Sequence, residues 1–377
     1  MSAARRSTLK RRVIPDPPEM DPAAGDRARR FFVLAVLVAA ACCLAAIALN
    51  VYADPYGAVG THILPTVTTS DRTVKADRVE QLPAPPQLVV LGSSRSMRYE
   101  PAYLRQKTGL RTFNGGVNGI GGTGDAYAMA RFIAEVWPGS RPAYLWLVDV
   151  ESFVPFKIGN RTANEPRLAK YLGQATARKG LGELLRAAWE NRDVLFSLKT
   201  TKDSVRLLLF REKAKSKQSR YRRQILADGV LKERPWTAKE WERRFPNSVE
   251  RYTALYATVY HNLDPAAQAW FERGLDFMNR RGARPVVVLT PINPKLRRLL
   301  APLGWEERHR QVVRYILGLR RRYDFVFLDL TDPRRFGYDP REWYDGVHMT
   351  TVNTRRAIDW ILAHSGGIPP QAPAGRE

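Results

Sequence analysis

Four short stretches of this chain, Gln87–Leu91, Ala143–Val148, Pro285–Leu289 and Asp324–Leu328, are almost unbroken apolar runs rather than alternations of polar and apolar residues, and a fifth, Leu110–Phe113, reads as a short strand. An alternating strand can leave one face in water. A continuously apolar one must be buried on both faces, the condition met in a parallel sheet covered by helices. Segments of helical character separate the runs: Pro101–Thr108, Ala126–Val136, Trp305–Arg321 with Val312, Ile316 and Leu319 on one stripe, and a closing Val352–Leu362. The pattern predicts an α/β fold, a three-layer αβα sandwich around a five-stranded parallel sheet. Between the third and fourth strands, residues 152–264 read as helical segments without strands, a helical insertion.

Chemistry is expected where the strands end, because open α/β sheets bind ligands outside the carboxyl ends of their strands. The first strand runs into Gly92-Ser93-Ser94-Arg95-Ser96, a small-residue turn carrying hydroxyls. Near the other end of the chain stands Trp343-Tyr344-Asp345-Gly346-Val347-His348. A spacing of three lets the Asp345 carboxylate fix the tautomer of the His348 imidazole and stabilise its cation. The imidazole can then take the proton of a serine hydroxyl, which is a poor nucleophile unaided. The second strand delivers Asn114-Gly115-Gly116-Val117-Asn118-Gly119.

Gly-x-Ser after the first strand, Asn-x-Gly-x-x-Gly after the second and Asp-x-x-His before the last helix together resemble blocks I, II and V of the SGNH (GDSL-like) hydrolase superfamily. The nearest likeness is its membrane-anchored branch, associated with envelope and exopolysaccharide acylation. The resemblance implies a flavodoxin-like sheet and a catalytic triad of Ser94 as nucleophile, His348 as base and Asp345 as its orienting partner. It also implies an oxyanion hole containing Gly119, with no cofactor and no metal. Ser93 stands where an acidic residue is usual and Arg95 where an apolar one is common. The family's block III Gly-x-Asn-Asp has no counterpart, since Asp149-Val150-Glu151-Ser152 follows the third strand. Losing one oxyanion donor costs about 10² to 10³ in rate; Arg95, Asn118 or a backbone N–H are the candidates to replace it. Ser93 and Ser96 remain alternative nucleophiles.

The first thirty residues hold eight Lys or Arg against four acids, with several prolines, and read as a disordered cytoplasmic tail (1–30). Phe31–Leu49 is then an uncharged apolar run of about 28 Å as a helix, long enough to cross a bilayer, within an anchor spanning 31–50. Arg27, Arg29 and Arg30 precede it, so the positive-inside rule places the amino terminus in the cytoplasm and residues 54–365 outside the cytoplasmic membrane, periplasmic or at the cell surface. A signal-peptidase site at Val51-Tyr52-Ala53 and lipidation at Cys42 are the other readings of this segment. A Gly/Pro/Ala-rich tail, 366–377, is expected to be unstructured.

Cys42 and Cys43 are the only cysteines and both lie in the apolar run, so the outer body has neither disulfide nor thiol chemistry. His62, His261, His309 and His364, unlike His348, belong to no motif, and the five histidines show no metal-ligand spacing. The net charge of +24 invites a nucleic-acid partner, but a body outside the membrane does not meet one. Anionic headgroups or an acidic polysaccharide fit the topology better. Lys199–Arg223, basic around Val205–Phe210, is the candidate surface element. The expected partners are a carbohydrate or acylated envelope substrate, the membrane, and a membrane-bound acyl-donor protein. The rival to an esterase or O-acyltransferase is a non-catalytic envelope protein using the same fold for polysaccharide binding or assembly.

Overall fold

The computed structural model describes residues 22–56, 59–61, 63–64, 71–119, 122–155, 165–173, 180–210, 224–232, 234 and 236–368. Five strands form one all-parallel sheet in the order β2-β1-β3-β4-β5: β1 Leu88–Gly92, β2 Thr112–Asn114, β3 Ala143–Val148, β4 Val286–Leu289 and β5 Val326–Asp329. Among the described residues thirteen α-helices accompany it: α1 Pro22–Ala53, α2 Asp71–Glu80, α3 Pro101–Thr108, α4 Thr123–Val136, α5 Pro166–Ala169, α6 Leu181–Glu190, α7 Arg192–Leu195, α8 Leu198–Leu209, α9 Ala238–Tyr256, α10 Pro265–Arg280, α11 Pro294–Leu300, α12 Trp305–Leu319 and α13 Thr351–His364.

The continuous apolar runs do what their composition demands. Every residue of β1, β3 and β4 is buried, whereas the edge strand β5 is half-buried along its length. The register sets Leu88 beside both Thr112 and Ala143, and Leu145 beside Val286. Helix α4 packs on β1 and on α10. Helix α10 comes so close to β3 that a Cβ on Gly274 would stand 2.4 Å from the Trp146 ring. Burying side chains of this size contributes about 1.5–3 kcal/mol each, so the core is built on the sheet.

Two features depart from the sequence expectation. Residues 22–30 are already helical and continue into the apolar run as α1; Pro22 suits a first helical position, and the alanines and arginines after it favour helix. Residues 1–21 of the expected tail lie outside the described residues, as do Arg211–Arg223 of the basic segment and residues 369–377. The described part of 152–264 is not purely helical. Ile225 and Leu231 form an antiparallel bridge, and this short loop docks on the end of β2, with Asn114 N–H donating to Asp228 O at 2.8 Å and Leu231 N–H to Met97 O at 2.8 Å.

Candidate active site

The strand order reverses between β1 and β3, and the turn after β1 therefore opens on the crevice where α/β sheets take their ligands. Gly92 makes that turn possible. Its φ is +141°, and a Cβ there would stand 2.2 Å from Leu147 O on the neighbouring strand, a position only glycine tolerates. The next three serines are separated by their surroundings. Ser93 is buried and its Oγ accepts the Arg95 N–H at 3.2 Å; Ser96 is fully buried and its Oγ donates to Ser93 O at 2.7 Å. Ser94 alone of the three reaches the crevice, half-buried.

Its Oγ lies 2.8 Å from His348 Nε2, across 254 positions of sequence. His348 Nδ1 lies 2.8 Å from Asp345 Oδ2. The other carboxylate oxygen, Oδ1, accepts the N–H groups of Val347 (2.8 Å) and His348 (2.7 Å). One oxygen thus shapes the Asp-Gly-Val-His turn and the other orients the ring. Tyr344 N–H to His348 O (2.8 Å) and Asn293 N–H to Gly346 O (2.9 Å) tie that turn to itself and to the loop after β4. Burial works against the Asp345 charge, but His348 and the two backbone donors outweigh it and hold its pKa below the usual carboxylate value. An ionised carboxylate only accepts, so Nδ1 carries the proton, Nε2 is left as acceptor, and the Ser94 hydroxyl donates to it.

The glycine loop after β2 lies against the nucleophile turn. Cβ atoms built on Gly116 and Gly122 would meet the Ser96 side chain and the Ser93 backbone. Asn114 braces it from below, its amide donating to Ser96 O and Tyr99 O at 2.9 Å each while its oxygen accepts the Gly116 N–H at 2.9 Å. Buried Lys75 donates to Asn114 O at 2.6 Å and to Gly229 O. Helix α2 holds the loop's far end: Asp71 accepts the Asn118 N–H, Arg72 donates to Asn118 O at 3.0 Å, and the same guanidinium forms a two-point pair with Asp125. Gly119 follows with φ +143°. Among the described residues, the backbone N–H groups of Ser94 and Gly119 and the Asn118 carboxamide make no intramolecular hydrogen bond.

Arg95 is placed differently from the oxyanion role considered for it. Its buried guanidinium turns to the residues following β3, donating to Glu151 Oε2 at 2.7 Å and to Thr290 Oγ1 at 3.2 Å, with Asp149 Oδ1 3.5 Å away. Glu151 also accepts from Tyr260 OH (2.6 Å) and Trp305 Nε1 (3.0 Å). The described residues directly after β3 therefore form a buried acid–arginine network and include no amide donor. Burial disfavours the Arg95 cation, yet the two carboxylates raise its pKa well above the ordinary value.

Several contributors carried no motif. Tyr252 of α9 sets its ring edge-on to His348 at 6.1 Å, and Trp241 Nε1 donates to Trp343 O at 2.9 Å, so α9 covers the histidine turn. A second His–Asp pair stands at the end of β5, His309 Nε2 lying 2.8 Å from Asp329 Oδ2 with the ring stacked on Trp305. The apolar stripe of α12 marked that helix, but nothing local paired His309 with Asp329. Comparison of the chain with protein-family models and with curated protein sequences gives no match.

Proposed function

We propose that this chain is a membrane-anchored serine esterase or O-acyltransferase of the SGNH type, working on acyl groups, O-acetyl foremost, of envelope or secreted carbohydrate outside the cytoplasmic membrane. On this reading the sheet is the centre of a three-layer sandwich and the residues between β3 and β4 are a family-specific insertion. The observation that carries the reading is the Ser94–His348–Asp345 relay: two contacts of 2.8 Å, a tautomer dictated by a buried carboxylate, and a serine facing the crevice at the strand-order switch.

In the first half-reaction the Ser94 Oγ–H proton passes to His348 Nε2 as Oγ bonds to the acyl carbon. The carbonyl electrons move onto oxygen, where the N–H groups of Ser94 and Gly119 and the Asn118 amide are the available donors. Collapse breaks the bond to the leaving alcohol, which takes the proton back from His348. In the second half-reaction water gives hydrolysis and a sugar hydroxyl gives transfer. A membrane-bound acyl-donor protein would supply the acyl group in the transfer case.

The test is fluorophosphonate labelling of the full-length chain in detergent, beside Ser94→Ala and His348→Ala. Labelling of the wild type that both variants lose supports an activated Ser94. The absence of an amide donor among the described residues that directly follow β3, 149–155, favours a second reading, a polysaccharide-binding protein with a vestigial relay. A folded wild type that is never labelled and turns over no acetyl ester, yet binds acidic polysaccharide, would establish that reading and end the enzymatic one.

A further inference from the structure

Helix α1 does not end as an isolated rod. Residues 25–45 are exposed, but from Ala46 most become partly covered, and Asn50 and Ala53 are fully buried. The cover is α7 and α8. Asn50 donates to Leu195 O at 2.7 Å and to Thr201 Oγ1 at 2.9 Å, and accepts from Ser204 Oγ at 2.8 Å. Ala53 and Leu207 share a small apolar cluster with Leu64. The apolar run ends at Leu49. A run of nineteen residues matches the roughly 30 Å hydrocarbon core closely, so whatever packs beside Asn50 lies at the hydrocarbon boundary.

Helices α6–α8 and the links between them turn several large apolar side chains outward among their charged residues. Leu198 is 87% exposed, Trp189 72%, Leu209 68%, Phe196 66% and Leu185 63%. Soluble domains scatter such residues singly, whereas contiguous groups mark a lipid or protein contact. Arg192 sits over the Trp189 ring at 5.2 Å, and Lys199, Lys202 and Arg206 are exposed along α8. Trp with nearby cations is the composition of the headgroup zone, where the ring sits among the acyl carbonyls and long basic chains reach the phosphates.

We propose that α6–α8 form an interfacial platform lying in the outer leaflet of the bilayer that α1 crosses, with anionic lipid as its occupant. This rests on the reading of α1 as a retained anchor. Asn50 then acts as the hinge pin, a buried amide whose three hydrogen bonds fix the height of the body above the membrane.

The full-length chain reconstituted in phosphatidylcholine/phosphatidylglycerol vesicles, with and without lipids brominated on the acyl chains, tests the platform through Trp fluorescence. Brominated lipid is expected to quench the wild type, and Trp189→Phe is expected to lose most of that quenching. Equal quenching of the two would overturn the platform, as would Trp189 quenched by aqueous iodide instead. A Trp189 shielded from both quenchers, with the chain crosslinking to itself, would show a protein contact in place of lipid. Alkaline carbonate separates the two readings. Extraction of the chain with the Trp189 quenching intact would remove the anchor and leave the platform standing; a carbonate-resistant chain with no Trp189 contrast would do the reverse.

Discussion

At the scale of single residues, the two oxygens of Asp345 divide the labour that a triad requires. Because Oδ1 builds the turn and Oδ2 holds the imidazole, an amide in the same place keeps the fold while reversing the ring's donor and acceptor sides. Asp345→Asn is expected to lower kcat by about 10³ or more with KM little changed, measured on an acetyl-ester substrate beside circular dichroism of the variant. Asn118→Ala removes the one side-chain amide on the glycine loop without a partner among the described residues, and should cost about 10² in kcat. A smaller effect on kcat than on KM would assign Asn118 to substrate binding. Asp329 gives a pH-dependent prediction. Burial raises its pKa, but His309 and the hydroxyl and N–H of Thr331 outweigh that and hold it at about 2. A carboxylate depressed on folding contributes stability above its unfolded pKa, near 4, and loses it as pH falls through the folded value. Asp329→Asn should therefore cost about 1–2 kcal/mol at neutral pH, allowing for partial exposure. That difference should close between about pH 4 and pH 2 in thermal unfolding of the detergent-solubilised chain.

At the scale of elements, α2 is a strut for the glycine loop. Arg72 is the only cation donating to both Asp125 and Asn118 O among the contacts described, and it lies buried between Asp71 and Asp125. Arg72→Met removes the cation from between two buried carboxylates, a loss of about 3–5 kcal/mol. If the strut also positions Gly119, single-turnover acylation should slow even at temperatures where the variant is fully folded. Unchanged acylation in the folded variant would confine Arg72 to stability. The comparison of sequence with structure divides along the same line. Ala143–Val148 was legible to the residue because a central strand buried on both faces has no other composition available. The ends of β1 and β2 each lie one residue later than expected, since Gly92 and Asn114 still pair across the sheet although neither has an apolar side chain. Ser94, Asp345 and His348 stood out because each half of the relay sits in a short motif. The direction of Arg95 did not: it depends on Asp149, Glu151, Tyr256 and Thr290, carried by separate elements, and no local spacing encodes their meeting.

At the scale of the whole molecule, the span and the body are one structure rather than a domain on a tether. Cleavage after Ala53 would take away Asn50 and Ala53, leaving Thr201 and Ser204 without the side chain they bond and Leu207 with only Leu64 of its cluster. Buried polar groups stranded in this way cost about 1–3 kcal/mol each, so the fold itself favours retention of α1. On the proposed reading, the charge pattern predicts an amino terminus in the cytoplasm and a body outside. Arg27, Arg29 and Arg30 precede the apolar run, while Asp54 closes it by accepting the N–H groups of Val59, Gly60 and Thr61. With an epitope at Met1 and another at Glu377, trypsin outside intact spheroplasts should destroy the carboxyl-terminal epitope and spare the amino-terminal one. Inverted vesicles should give the opposite pattern. A body protected in spheroplasts would reverse the topology and, with it, exclude envelope carbohydrate as the substrate. Loss of the Met1 epitope before any protease is added would mean that the anchor is cut, and the body would then have to tolerate an unfilled Asn50 site that its own side chains are arranged to bond.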